Sequence, residues 1–387
     1  MSERRKTRKR KKVEYVIGIG FLLVVFGIGI INLILPSKKI SEEENRGLAQ
    51  KPKLSVSAVA SGSYMDQYEK YQADQFMGRN FWRDLKVGFS RLAGSKEENG
   101  VFIGKNGQLM EDLAVPNQTV LKENLKAMET FSQKYSEIPV NMLLVPDAAN
   151  ILSDSLPFTA TVADQNQYIA QVKKELGSSV QWIDAVKPLA RHSEEKIYYK
   201  TDHHWTVKGA YYVFKEAAKV MGLDEKDAGG YASYPVTTEF NGSLAAKSGC
   251  HLNEKEQIDI YVPKSEDNDV VVNYVDEQKK TASLYDSSKL EERDKYAVYL
   301  GGNFSVVDIR TVSKSNRRLL ILKDSYANSF VPFLTPYFRE IVMVDPRYYS
   351  GTIGDIMDTY EITDTLFLYS ANMFLQDNNI SGVLSSE

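Results

Sequence analysis

Leu319-Leu320-Ile321-Leu322-Lys323-Asp324-Ser325-Tyr326-Ala327-Asn328-Ser329-Phe330 is the stretch from which the fold is read. Its first four residues are a continuous apolar run, as in a strand buried on both faces. The run stops at Lys-Asp-Ser, and the small and polar residues after it predict a helix over 325–334. A serine at such a strand-to-helix corner sits at the C-terminal edge of a sheet, where α/β folds place their ligands. The N–H groups of the following helix would face a developing oxyanion. Alone, Asp-Ser after a strand is read equally well as a helix cap.

Working outward, the same alternation recurs. Short apolar runs at 140–145, 180–184, 341–344 and 365–369 read as strands. Residues 119–135, 164–176 and 206–220 carry apolar positions at helical spacing. Strands alternating with helices imply a parallel α/β sheet covered on both faces. Val101 to Met110 reads as a hairpin with an Asn106-Gly107 turn. Residues 63–92 read as helical, with a stripe of Tyr64, Tyr68, Tyr71, Phe76, Phe81, Leu85 and Phe89 at spacings of three to five that faces a core. Residues 225–300 are polar, acidic and less regular, and read as an insertion or strand-rich excursion.

A second chemistry-bearing cluster precedes the serine: Tyr198-Tyr199-Lys200-Thr201-Asp202-His203-His204-Trp205-Thr206. It holds two of the four histidines in the chain, so it concentrates the residues able to move a proton near neutral pH. Thr201 or Thr206 is placed to cap the next helix. Three readings stand on these residues alone. One imidazole is a general base oriented by Asp202. Or Asp202, His203 and His204 ligate a metal, although adjacent side chains diverge and no second acidic-His cluster completes a site. Or the histidines only pack and cap a loop. Joined to Ser325, the cluster favours the first. Tyr299-Leu300-Gly301-Gly302-Asn303 adds glycines for close backbone approach and an amide donor for an oxyanion; a Gly-Gly turn with an Asn cap accounts for it equally. Asn241-Gly242-Ser243 is a weaker candidate of the same kind.

The ends set the compartment. Residues 1–35 carry eight Lys/Arg and two acids, so they are +6 while the whole chain is −3. The basic run abuts Val16 to Leu35, 20 residues without a charge, long enough to cross a bilayer. This context argues against nucleic acid as the partner of the basic tail. The positive-inside rule puts residues 1–15 in the cytoplasm and the rest outside. Pro36-Ser37-Lys38-Lys39 offers no small-residue cleavage site, which favours an uncleaved anchor over a signal peptide. The expected organisation is a basic cytoplasmic tail at 1–15, an anchor at 16–35, a tether at 36–60 and an extracytoplasmic domain at 61–380 with its insertion at 225–300. One cysteine, Cys250, rules out an internal disulfide and a structural zinc site built on several thiolates. The 23 tyrosines suit either a Tyr-rich core or a surface that stacks on sugars.

Asp202-His203-His204-Trp205, with Lys323-Asp324-Ser325, Ser41 to Arg46, Asp74-Gln75-Phe76 and Arg79-Asn80, resembles the DHHW family of bacterial envelope proteins over nearly the whole segment after the anchor. That family is similar to the SGNH-like O-acetyltransferases of exopolysaccharide systems, such as those acting on alginate, in which an Asp-x-His element precedes the serine. The resemblance implies an SGNH-hydrolase-like fold with Asp202 as the acid, His204 as the base and Ser325 as the nucleophile. It makes Asn303 the SGNH asparagine. Tyr199, His203 and Gly302 join Asn303 as oxyanion or substrate-binding candidates. Lys323 departs from the pattern, standing where the SGNH signature has Gly. The implied activity is extracytoplasmic transfer of an acetyl group through an acyl-serine to a polysaccharide. An acetyl esterase using the same triad and a non-catalytic glycan-binding or assembly protein are the alternatives. No metal or diffusible cofactor is implied. A membrane acyltransferase is the expected donor partner.

Overall fold

The protein is described by a computed structural model that covers residues 2–41, 46–224, 229–250, 255–265 and 268–385. Contacts divide it into two compact units, residues 1–93 and 94–387.

The second unit is built on an eight-stranded sheet with helices on both faces. In chain order its structural elements include hairpin strands β1 (Val101–Ile103) and β2 (Leu109–Glu111), then β3 (Val140–Val145) and β4 (Gln181–Ile183). A long hairpin follows, β5 (Tyr231–Phe240) and β6 (Glu256–Pro263). After it come β7 (Val270–Tyr274), β8 (Lys279–Thr281), β9 (Val306–Thr311), β10 (Arg318–Lys323), β11 (Glu340–Val344) and β12 (Asp364–Ser370). The main sheet runs β8-β7-β9-β11-β10-β12-β3-β4. From β11 to β4 all neighbours are parallel. β9, β7 and β8 extend that core as antiparallel strands. β10, the strand that opened the sequence reading, pairs on both sides with parallel neighbours and is central.

Period-two side chains sort the parallel strands into two cores. Leu143, Val145, Leu319, Ile321, Ile341, Met343, Leu366 and Leu368 belong to one, together with the helix Val207–Val220. Met142, Leu144, Leu320, Leu322, Val342, Val344 and Phe367 belong to the other, under the helices Gln118–Lys134 and Gln165–Leu176. Because both faces are covered, β3, β11 and β12 are buried along their whole length. This is why they read as unbroken apolar runs.

Among the described residues, segment 225–300 is rich in strand: β5, β6, β7 and β8 lie there, and β7 and β8 extend the main sheet. Two expectations are corrected, on segments 325–334 and 63–92. Segment 325–334 is not an α-helix but two 3₁₀ turns, Ser325–Ser329 and Val331–Phe333. Pro332 supplies no N–H, and the Tyr326 carbonyl that would accept an intrahelical bond is taken by the Trp205 indole instead, at 3.1 Å. Residues 61–93, expected with the catalytic domain, group with the N-terminal unit.

In that unit α1 (Ser2–Ile34) contains the apolar stretch. Its segment Val13–Ile34 is one helix long and apolar enough to cross a membrane, with a mean hydropathy of 2.6. Residues 63–92 form two helices, α2 (Ser63–Gln75) and α3 (Arg79–Leu92), broken where Gly78 adopts a φ of 65°. Their aromatic stripe is not a core face, since none of the residues in α2 is buried and only Val87 is in α3. The expected tether at 36–60 folds back. Ser37 bonds Tyr71, the Lys38 amide bonds Gln75, and the Ala49 amide bonds Asp74. Glu42 to Asn45 of the Ser41–Arg46 motif lie outside the described residues.

Candidate active site

β10 delivers Ser325 to the C-terminal edge of the sheet. Asp324 fixes the corner. One of its carboxylate oxygens accepts the Tyr326 amide at 2.9 Å and the other accepts the Ser370 amide, at the end of β12, at 2.8 Å. The acidic residue before the serine is therefore a buried staple between two strand ends.

The Tyr198–Thr206 loop lies over the same edge. Its ends meet in a bridge between Tyr198 and Trp205, and the Tyr198 hydroxyl donates to Pro146 just past β3. Thr206 caps the helix that follows, accepting the Gly209 amide at 3.3 Å. The loop and the serine segment are laced together. Trp205, fully buried, donates its indole N–H to the Tyr326 carbonyl and Ser329 Oγ. The Tyr326 hydroxyl donates to the His203 carbonyl.

These constraints set one line of groups. His204 Nε2 lies 2.7 Å from Ser325 Oγ. His204 Nδ1 lies 2.6 Å from Asp202 Oδ1. Both ring nitrogens are thus engaged, one by an acid and one by a hydroxyl. Asp202 is held from three further directions. Its Oδ1 accepts the His204 amide at 3.0 Å, its Oδ2 accepts the Ser243 amide at 2.8 Å, and Gly242 packs directly on it. A Cβ at Gly242 would stand 2.3 Å from the Asp202 Cβ. Asn241-Gly242-Ser243 therefore seats the acid. Glu256, from β6, clamps the loop base by accepting the Lys200 and Thr201 amides and the Thr201 hydroxyl. The excursion at 225–300 thus contributes directly to the site.

Electrostatics suits the geometry. Burial alone would favour a neutral Asp202 carboxyl. The nearby His204 and His203, with hydrogen bonds from His204 and the Ser243 amide, instead hold it well below the usual carboxylate range. Burial, helped by His203, lowers His204 below its ordinary value against the pull of Asp202. The resting pair is an ionised acid and a neutral imidazole able to accept a proton.

The other sequence candidates fall in different places. His203 is half-exposed, bonds Ser243 Oγ at 2.8 Å and lies beside the His204 ring with centroids 3.9 Å apart. Asp202, His203 and His204 have ligand atoms close enough to share a cation, but His204 already commits both nitrogens. Asn303 and Gly302 sit in a turn next to the serine loop. Asn303 Oδ1 accepts from Lys323 Nζ at 2.8 Å and from Asn328 Nδ2 at 3.1 Å, and the Gly302 carbonyl accepts from Asn328 Nδ2 at 3.1 Å. Tyr199 is not a surface candidate: it is buried, with its ring against Phe240 and Tyr296.

The sequence reading missed Tyr296 and the role of Lys323. Tyr296 stacks on His204 with centroids 3.7 Å apart and 8° between planes. It lies in a stretch with no periodic pattern, so nothing in the sequence marks it. Lys323 did carry a signal, a charge at the end of an apolar strand. It is 1% exposed and lies 3.5 Å from Asp345, which also pairs with Arg347. Burial lowers its pKa to about 8, against the pull of Asp345. Lys323 and Asn328 both donate to the Asn303 oxygen, which fixes which end of that amide faces them.

An Asp–His–Ser line, buried at Asp202 and His204 and part-buried at Ser325, at the C-terminal edge of the parallel strands of a sheet between helices is an SGNH-like α/β arrangement. The chain belongs to the DHHW family, whose model, DHHW protein, matches residues 114–344. Among solved structures it is similar to a DHHW family protein from Eubacterium siraeum, at 25% identity and a TM-score of 0.64, over 75% of this chain and 96% of that one. It is also similar to PatB1 of Bacillus cereus, at 20% identity and a TM-score of 0.61, over 72% of this chain and 98% of that one. A looser likeness is to the O-acetyltransferase domain of AlgJ from Pseudomonas putida, at 15% identity and a TM-score of 0.47, over 74% of this chain and 99% of that one. No curated protein matches the chain.

Proposed function

We propose that the protein is a membrane-anchored O-acetyltransferase acting outside the cytoplasm, with Ser325 as nucleophile, His204 as general base and Asp202 as the acid that orients it. The observation that carries this reading is the continuous Asp202–His204–Ser325 hydrogen-bonded line, 2.6 Å and 2.7 Å across its two links. In the first half-reaction His204 accepts the Ser325 proton as Oγ bonds to the acyl carbon of the donor. The resulting oxyanion faces the Asn303 amide. The donor's leaving oxygen departs with the proton from His204, and an acetyl-serine remains. In the second half-reaction a sugar hydroxyl gives its proton to His204 and takes the acetyl group. Ser325 then recovers its proton.

The resemblance to SGNH-like acetyltransferases favours a sugar over water as acceptor, and the apolar α1 favours a polymer outside the cell. Acetyl-CoA is cytoplasmic, so the donor group is expected to arrive through a membrane acyltransferase partner. The test supplies the protein with an activated acetyl ester, with and without oligosaccharides. Acetylated oligosaccharide is the expected product. Release of acetate at the same rate whether or not a sugar is present would make the protein an esterase instead.

A further inference from the structure

Helix α3 is amphipathic in the wrong sense for a helix that packs on protein. At 100° per residue, Phe81, Leu92, Leu85, Phe89 and Trp82 fall within an arc of about 100°. Their exposures are 62%, 87%, 38%, 63% and 44%. The opposite side holds the buried Val87 with the less exposed Arg79, Arg83 and Ser90. Arg79 pairs with Asp74 of α2 at 3.5 Å. The helix therefore turns a basic face inward and displays its apolar stripe.

The position of α3 indicates what covers the stripe. The Met77 amide, two residues before α3, donates to Asn32 Oδ1 at 2.7 Å. Asn32 lies in the last turn of the apolar span Val13–Ile34. Two further bonds, Ser37 to Tyr71 and Lys38 to Gln75, hold the end of α2 against the residues that leave this span. The start of α3 is thus fixed at the outer end of the span, where the bilayer surface lies if α1 is embedded. Trp, Phe and Leu are the side chains that interfacial amphipathic helices turn toward the bilayer. The exposed Lys86 and Arg91 flank the apolar stripe on either side and suit an anionic leaflet.

We infer that α3 is an interfacial helix: its Phe81-Trp82-Leu85-Phe89-Leu92 face lies in the headgroup and upper acyl region of the same leaflet from which α1 emerges. The inference rests on the anchor reading of α1. It gives the protein a second membrane contact, one that orients the N-terminal unit instead of merely tethering it.

The test uses the full chain reconstituted in lipid-only vesicles containing brominated acyl chains. The expected result is quenching of a tryptophan component that is lost in Trp82→Phe. Phe89→Cys carrying an environment-sensitive dye gives an independent reading, since the native Cys250 is buried. That dye should be shielded from aqueous iodide in vesicles, and Phe81→Asp should restore its access while Ser325 reactivity stays unchanged. If the chain inserts but Trp82 is not quenched and the dye at 89 is open to iodide, the inference is overturned and the anchor stands. Shielding only when other membrane proteins are present overturns it in favour of a protein partner. Failure of the chain to float with the vesicles at all removes the anchor reading itself.

Discussion

At the scale of single residues, the site is a set of buried and part-buried polar groups joined by hydrogen bonds. Ser325 bonds His204, His204 bonds Asp202, and Asp202 is filled by two backbone amides. The ordering predicts pH behaviour. Because burial lowers the pKa of His204, the imidazole is already neutral at mildly acidic pH. The acidic limb of kcat/KM should therefore fall below the unperturbed histidine value of about 6.5. A limb centred above 7 would contradict the assignment of the base. Lys323 sets the other side. Its ammonium holds the Asn303 oxygen and has a pKa of about 8. Lys323→Met should lower kcat by up to roughly 100–1000-fold, the range seen when an oxyanion donor is lost, with a smaller effect on KM, and it should abolish any basic limb near pH 8. An unchanged kcat would reduce the lysine to a packing role. Gly242→Ala is a sharper test of the acid. A methyl group 2.3 Å from the Asp202 Cβ must displace it, so activity should drop although no functional group has been removed.

At the scale of elements, the two motifs are held together by Trp205, and this predicts a stability effect distinct from catalysis. Trp205→Phe keeps most of the apolar volume but leaves the Tyr326 carbonyl without the indole donor. A loss of about 1–3 kcal/mol in denaturant unfolding is expected, together with a weaker reaction at Ser325. Asp147 offers a pH test of the sheet edge. It accepts Gln165 Nε2 at 2.7 Å and the Asn372 amide at 2.8 Å, joining the ends of β3 and β12. Burial raises its pKa to about 7 despite those bonds. The folded state therefore holds a proton that the unfolded state releases near pH 4. Its contribution is complete below about pH 4 and is lost as pH rises through 7. Asp147→Asn should accordingly gain stability over the wild type as pH rises from 4 to 8; a constant difference would contradict it.

The elements also show what a sequence can and cannot carry. β3, β10, β11 and β12 are buried on both faces, so their apolar runs announce them. Asn106-Gly107 announces the β1–β2 hairpin because both residues adopt positive φ. β5 and β6 pair mainly with each other, and much of their surface is exposed, so polarity hides them. The site divides the same way. Asp202, His204 and Ser325 are rare residue types at motif positions, and the sequence brings them forward. Glu256, Ser243 and Tyr296 act through contacts 40 or more residues away in the chain from the groups they hold, apart from the 29 between Tyr296 and Ser325. No local pattern encodes such contacts. The 3₁₀ form of 325–329 depends on Trp205, which lies 121 residues from Tyr326.

At the scale of the whole molecule, the chain has an apolar N-terminal helix in one unit and an Asp–His–Ser line in the other. Each part constrains the other's meaning. The line alone is compatible with many acyl-group reactions, and under the proposed anchor reading the helix would narrow the substrate to what lies beyond a membrane. The central claim is that Ser325 is a nucleophile activated by His204. The most direct measurement is covalent labelling of the full chain with a fluorophosphonate, located by peptide mass spectrometry. The account predicts one adduct, on Ser325, absent in Ser325→Ala and strongly slowed in His204→Ala, with both variants retaining the wild-type circular dichroism. A folded wild-type protein that leaves Ser325 unlabelled, or labelling that proceeds equally well without His204, would contradict it.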